Sequence, residues 1–302
     1  MDLYRYNYVS EYLKNKFGER TLKICVDGNF TCPNRDGTKS NSGCIFCSEK
    51  GSGEHIKFIS IKDQIKNHLN SYKGTRANKF IVYFQNFTNT YDTVENLKAK
   101  YDSSLIDSRI VGLEIATRPD CISEEIAKLL STYKEKYYVS VELGLQTTNE
   151  DIGKLINRCY TNDDFINACK ILEKYSIPVV AHLMIGLPNE TDTDITNMVN
   201  FINKLPVSGI KIHSTYIVKN TVLNILYEEN KYIPITLDYY LEKLEYIITH
   251  LRPDIIIHRL NGDAPKDILV APEWNLHKKW VLNGINKKLK ENNVHQGIYY
   301  KE

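Results

Sequence analysis

The sequence predicts an α/β fold, a partial (β/α)6 TIM-like barrel with an N-terminal helix and a C-terminal helical extension. Three observations lead there. Short, near-continuous apolar runs recur at 21–26, 79–84, 109–116, 138–145, 179–185 and 209–213, with a weaker seventh at 255–258; strands buried on both faces of a parallel sheet read this way. Between them lie patterns of helical period near 60–72, 93–102, 123–134, 149–174, 191–204 and 237–250, and such alternation joins parallel strands by helical crossovers. Polar residues gather at the strand ends, at 85–91, 117–120, 146–148 and 213–215, where a barrel assembles its active site. A doubly wound sheet has the same rhythm, but no GxGxxG or P-loop signature opens any helix, which favours the barrel.

The elements follow in order. Residues 2–17 form an amphipathic helix pattern, with Leu3, Tyr6, Val9, Leu13 and Phe17 near helical spacing. Ser123 before Glu124 and Glu125, and Thr191 before Asp192 and Asp194, have the composition of helix starts, where a hydroxyl accepts from a free N–H and acids face the positive helix end. The barrel is assigned to 1–260 with its cysteine loop at 27–48. The rhythm then stops. Residues 261–265 form a turn, and 261–302 make a helical extension packed on the barrel, its helix pattern at 272–292 carrying Trp274, Trp280, Leu282, Ile285 and Leu289.

Hydrophobic residues make up 42% of the 302 and charged residues 25%, enough for a full globular core. The formal charge of +2 gives no strong electrostatic preference for nucleic acid. The N-terminus does not read as a secretory signal, and no run approaches the roughly 18 apolar residues that span a bilayer, so the cytosol is the expected compartment. The segment 261–302 holds seven Lys against five Asp and Glu, which places the whole excess there. Lys278, Lys279, Lys287, Lys288 and Lys290 on its helix are either a solvated face or a contact to an RNA backbone.

Seven cysteines are an odd count, and Cys32, Cys44 and Cys47 share one Gly- and Pro-punctuated loop. Reduced thiols so clustered point to metal binding or catalysis rather than a disulfide framework. Two readings of the loop exist. With Cys25 the set becomes four thiolates, a structural zinc site; Cys25, however, lies inside the first predicted strand, where it could be core. Without Cys25, three thiolates hold a [4Fe–4S] cluster and leave one iron open. From the cysteines alone the two stand level. Elsewhere, Glu142 and Gln146 are four apart on the fourth strand and share a face. An inward acid in an apolar strand needs a partner, either a cofactor or Arg158. His182 and His213 sit on or at the end of strands, where a core role is the commoner one, and Arg118 with Asp120 form either a turn-stabilising ion pair or substrate contacts.

The rest of the chain carries a resemblance. The Cys-x11-Cys-x2-Cys spacing lies within Cys-Pro-Asn-Arg-Asp-Gly-Thr, and five further blocks follow. They begin at Tyr83-Phe-Gln-Asn, Glu114-Ile-Ala-Thr-Arg-Pro-Asp, Val141-Glu-Leu-Gly-Leu-Gln, His182-Leu-Met-Ile-Gly-Leu-Pro and Arg259-Leu-Asn-Gly-Asp-Ala-Pro. In this order they resemble the radical S-adenosylmethionine (radical SAM) superfamily, and more narrowly a bacterial family related to the radical domain of the Elongator catalytic subunit. One departure stands out: the family's Asn-Arg-Gly-His is Asn157-Arg158-Cys159-Tyr160 here.

The resemblance implies one [4Fe–4S] cluster on Cys32, Cys44 and Cys47, with S-adenosylmethionine on the open iron as the source of a 5′-deoxyadenosyl radical. It implies cofactor contacts from Phe46, Gln85, Asn86, Thr88, Asn89, Thr117, Glu142, Gln146 and Arg158, and substrate contacts from Arg118, Asp120, His213, Arg259 and Asp263. Phe46 has a second reading, as an apolar anchor of its loop. The implied reaction is on tRNA, converting a carboxymethylaminomethyl wobble-uridine side chain toward aminomethyl, with electrons from an external donor such as flavodoxin or ferredoxin. Trp274 would stack on a base. A radical enzyme of small molecules and a zinc-stabilised RNA-binding module are the rival readings.

Overall fold

The computed structural model describes residues 5–51, 59–262 and 264–301. Asp263 lies outside the described residues, as do positions 2–4 of the expected N-terminal helix. Six strands fall where expected to within a residue at either end: β1 (Thr21–Val26), β2 (Lys79–Phe84), β3 (Ile110–Thr117), β4 (Tyr138–Gln146), β5 (Val179–Ile185) and β6 (Gly209–Ser214). After β7 (Ile217–Val218), the weak seventh run becomes β8 (Ile256–Arg259), and β7 pairs antiparallel with β9 (Leu269–Ala271). The main sheet is parallel and seven-stranded rather than six, in the order β1-β2-β3-β4-β5-β6-β8. Its edge strands, β1 and β8, are not hydrogen-bonded to one another. It is an open, curled half-barrel.

The seam beside β8 accounts for the shorter first helix. That helix spans Val9–Phe17, not 2–17. Tyr8 bridges to Ile257 in parallel, Ile257 donates its N–H to the Asn7 carbonyl at 2.8 Å, and Asn7 N–H donates to Gln296 Oε1 at 2.9 Å. Backbone groups before Tyr8 are thus spent on strand β8 and the C-terminal tail, and cannot close helical turns. A second difference lies at 149–174, which divides into helices Glu150–Leu155 and Asn162–Lys174. Asn157 and Cys159 take positive φ (55° and 59°), and Thr161 restarts the helix with a capping box to Asp164. Ser123 and Thr191 cap their helices as expected.

Strand alternation sorts two environments. Outward residues such as Ile24, Val82, Leu113, Val141, Leu183 and Ile210 pack with the helices into one buried core, each worth about 1.5–3 kcal/mol of transfer energy. The inward set is polar: Lys23 and Cys25 on β1, Tyr83 on β2, Glu114 on β3, Glu142 on β4, His182 on β5, Lys211 and His213 on β6. In the C-terminal segment, helix Lys278–Glu291 packs on helix Leu237–His250 through Val281, Ile285 and Leu289, all buried. The approach is tight: a Cβ on Gly284 would come within 2.6 Å of Leu241 Cδ1. Trp274 is buried there, its Nε1 donating to the Ile235 carbonyl and its ring 5.2 Å from that of Tyr240. The expected base stacking on Trp274 is therefore ruled out by burial.

Candidate cluster and cofactor site

The cysteine loop leaves the C-terminal end of β1 and has no helix or strand of its own, so side chains must hold it. Arg35 donates to the carbonyls of Cys47 (2.8 Å), Ser48 (2.5 Å) and Glu49 (3.3 Å). Asn34, fully buried, donates to the Asn157 carbonyl at 2.6 Å and points the same Nδ2 at Cys44 Sγ (3.6 Å). Asn157 answers with a bond to the Gly43 carbonyl at 2.7 Å. Ile45 is the apolar anchor. Its N–H bonds the Ile156 carbonyl, its carbonyl takes the Leu223 N–H, and its side chain joins a small core of Ile152, Ile156, Leu187, Ile217 and Leu223. Phe46 packs partly buried against that same core, as its anchor reading expects.

Cys32, Cys44 and Cys47 are electrostatic neighbours. Burial first, then the adjoining Cys47 and Cys32 sulfurs, pushes the Cys44 thiol up to about 12. A buried thiol with two further sulfurs beside it belongs to a donor set that a cationic metal centre would complete. Cys25 does not join them. It opens onto the concave face of the sheet among the charges of Lys211, Arg259, Lys23 and Glu142, which is not a core environment.

The segment after β2 borders the loop, since the Thr88 N–H bonds the Thr31 carbonyl at 3.2 Å. Asn86 is fixed through Nδ2 to Asp27 (2.7 Å) and Asn89 through Nδ2 to the Ala116 carbonyl (2.7 Å). Their Oδ1 atoms and the Thr88 hydroxyl are buried and find no partner among the described residues. Each such oxygen costs about 1–3 kcal/mol if left unmet, and three within four residues suit the three donors of an ammonium group. These residues could hold the amino end of an amino-acid-like cofactor. Thr117 is spent on Thr90, hydroxyl to hydroxyl at 2.6 Å. For Gln85 the structure gives a position, directly after β2, beside this group.

Other expected contacts turn out to be internal scaffolding. Arg118 grips Asp120 with two bonds of 2.9 and 2.8 Å, and Lys39 of the cysteine loop reaches Asp120 at 2.6 Å. That is the turn-stabilising reading. Arg158 is fully buried and does not pair with Glu142. Its five N–H groups go to the carbonyls of Tyr160, Leu145 and Thr147, to Glu150 (3.1 Å) and to Asn162 (3.4 Å). None remains for a cofactor carboxylate. The Tyr160 ring centroid lies 4.8 Å from the guanidinium carbons of both Arg118 and Arg158, and its one hydroxyl hydrogen is shared between the Gly144 carbonyl and Gln146 Oε1. The positive φ of Cys159 explains why a glycine is at home in that position.

Glu142 meets Lys211 in an ion pair, accepts from His182 Nε2 at 2.7 Å and lies 3.5 Å from Lys23. Burial works to raise its carboxyl, but Lys211, Lys23 and His182 outweigh burial and hold it well below the usual range. Glu114 pairs with Lys23, and the Tyr83 ring sits beneath the Lys211 ammonium at 4.2 Å. Glu114, Glu142 and His258 bring ligand atoms within 4.8 Å of one another, but the two lysine ammoniums already neutralise that corner. Burial, and after it Arg259, hold the His213 imidazole well below the usual histidine range; its Nε2 finds no partner among the described residues and its ring is 5.5 Å from His182. Sequence reasoning missed Lys23, Tyr83, Glu114, Lys211 and His258. The signal that exposed Glu142, one polar residue at an inward position of an apolar strand, was present for each.

Residues 36–202 match the profile of the radical SAM superfamily, and 207–291 that of the radical SAM C-terminal domain. The chain belongs to the radical SAM superfamily. YtqA of Bacillus subtilis is 36% identical over 301 residues, 98% of this chain and 93% of the relative. A tRNA uridine(34) acetyltransferase of Dehalococcoides mccartyi is 31% identical over 172 residues, 53% of this chain and 37% of the relative. Among solved structures, the archaeal Elp3 of Methanocaldococcus infernus superposes with a TM-score of 0.69 at 17% identity, covering 91% of this chain and 64% of that one. This radical SAM enzyme uses the superfamily's cofactors, a [4Fe–4S] cluster and S-adenosylmethionine, which together supply hydrogen-atom abstraction from carbon. The cysteine loop and the orphaned oxygens after β2 fit them. Among the described residues no helix is long and apolar enough to cross a membrane.

Proposed function

We propose that this radical SAM enzyme modifies the wobble uridine of tRNA, converting a carboxymethylaminomethyl side chain toward aminomethyl. The observation that carries the reading is the 31% identity, over 172 residues, to a relative named for uridine 34 of tRNA. A hydrogen atom would be taken from the carboxymethyl methylene. That carbon would then give up one electron, to the oxidised cluster, and a proton to become an imine. Water would cleave the C–N bond, leaving aminomethyl and releasing the two-carbon part as glyoxylate. Cys32, Cys44 and Cys47 hold the cluster. Asn86, Thr88 and Asn89 receive the amino group of S-adenosylmethionine, with Gln85 and Phe46 beside it and Gln146, fixed by Tyr160, at the neighbouring strand end. Glu142 orders the lumen through Lys211 and His182, and His213 and Arg259 face the substrate. A one-electron donor of the flavodoxin or ferredoxin kind reduces the cluster.

The near-neutral charge of +2 favours a second reading, a small-molecule substrate. Mass spectrometry of wobble nucleosides from cells with and without the gene decides between them. Accumulated carboxymethylaminomethyluridine in the deletion strain supports the tRNA reading; an unchanged nucleoside profile ends it.

A further inference from the structure

The chain has two tryptophans, and the fold treats them oppositely. Trp274 is buried, whereas Trp280, in the first turn of helix Lys278–Glu291, is 53% exposed. Its indole lies on the His277 imidazole, ring centroids 4.0 Å apart and planes 21° from parallel. A pre-stacked, outward-facing pair of rings contributes little to a core and is a ready surface for a third ring.

Positive charge surrounds it. Helix Lys278–Glu291 carries five lysines and one acid, Glu291. Lys288 is held by Glu245 at 3.2 Å and Lys287 reaches Glu291 at 3.8 Å. Lys278 and Lys279 are exposed beside Trp280. Lys279 occupies the turn where a cation opposes the helix dipole, a local cost that helix stability does not explain. The place also matters. Ser214, the last residue of β6, donates to Asn275 Oδ1 at 2.6 Å, and Ala271 shares a core with Ile45 of the cysteine loop. The helix thus starts from the strand-end side of the barrel, where the cofactor site lies.

We propose that His277 and Trp280, flanked by Lys279, form a platform on which an unpaired RNA base stacks while the lysine meets a neighbouring phosphate. The inference rests on the tRNA reading and deepens it. Every base has a π face, so such a platform supplies hold rather than sequence choice, and it needs a splayed, single-stranded nucleotide rather than a duplex. An acidic protein would be drawn to the same lysine but offers no counterpart to the stacked rings.

The two tryptophans make the test spectroscopic. Titrating the cluster-loaded protein with a synthetic RNA hairpin bearing an unpaired loop is expected to quench the solvent-exposed part of the emission, that of Trp280, and to protect it from acrylamide. Trp280→Ala should weaken binding roughly ten-fold, and Lys279→Gln should lower the slope of log affinity against log salt by about 1. Melting temperature and iron content verify that each variant is folded and loaded. If wild-type protein binds the hairpin and Trp280→Ala binds equally well with unchanged emission, the platform is wrong and the tRNA reading survives. Absence of RNA binding by the wild type removes both. Polyglutamate binding with the same dependence on Trp280 would overturn the proposal in favour of an acidic protein partner.

Discussion

Glu142 on β4 and Lys211 on β6 form an ion pair inside the barrel, across the intervening β5, with His182 of β5 donating to the same carboxylate at 2.7 Å. Both charged side chains are almost wholly buried. Removing one partner leaves the other charge desolvated and alone, which costs about 3–5 kcal/mol. Lys211→Met and Glu142→Leu should each destabilise by that order, and the double variant should recover most of the loss. Anaerobic urea unfolding of the four proteins measures the coupling; additive losses would mean that the pair does not act as a unit.

Stability should fall on mild acidification. Burial, together with nearby cations, holds His213 and His258 well below the usual histidine range. Both are therefore neutral in the fold and protonated in the unfolded chain below about pH 6.5. For groups whose folded value is depressed, the contribution is complete above the unfolded value and is lost as pH falls. Together the two histidines contribute a drop of up to about 2.8 kcal/mol per pH unit below pH 6.5. Glu190, its buried carboxyl raised to about 8 and so protonated in the fold, opposes this by about one proton. Unfolding midpoints followed from pH 7.5 to about 5 test this, and His258→Gln should reduce the slope by one proton.

The contrast between outer and inner faces explains what the sequence could reveal. Strand positions were legible because Ile24, Val82, Leu113, Val141, Leu183 and Ile210 have one invariant task, packing against helices, and period-2 patterning reports it. The loop thiols were legible because their spacing is local. The partners of Arg158 were not. Its donors run to main-chain carbonyls of Leu145, Thr147 and Tyr160, and carbonyls carry no residue code. The expected pairing with Glu142 also failed, because the competing cations Lys23 and Lys211 come from strands β1 and β6, and their meeting depends on how far the sheet curls. Trp274 and Trp280 share one amphipathic segment, and only the docking angle of its helix tells which is buried.

Loss of any loop ligand should abolish the cluster while leaving the barrel folded. Cys32→Ala, Cys44→Ala and Cys47→Ala are expected to purify without the absorbance of an iron–sulfur centre and without reductive cleavage of S-adenosylmethionine. Cys25→Ala should keep both, since Cys25 opens onto the lumen and not into the loop. Iron analysis of anaerobically reconstituted protein is the check. An iron content in Cys25→Ala as low as in Cys32→Ala would restore the four-thiolate reading.

Arg158 ties the cofactor loop to the barrel without touching either reacting partner. Its guanidinium holds the carbonyls of Leu145 and Thr147 at the end of β4, and its own carbonyl takes a bond from Arg118 at 3.1 Å. The adjoining Asn157 carbonyl receives Asn34, whose amide also faces Cys44. Lysine keeps the charge but lacks the planar fork. Arg158→Lys should therefore strand several buried carbonyls and cost about 3 kcal/mol or more in stability, counting about 1–3 kcal/mol for each unmet group. It should also loosen the loop, so that reconstituted protein loses iron to a chelator faster than wild type. Unfolding free energy and chelation rate are both measurable on the same sample. If stability falls with no change in chelation rate, Arg158 supports the strand end alone and the link through Asn157 and Asn34 is not mechanical.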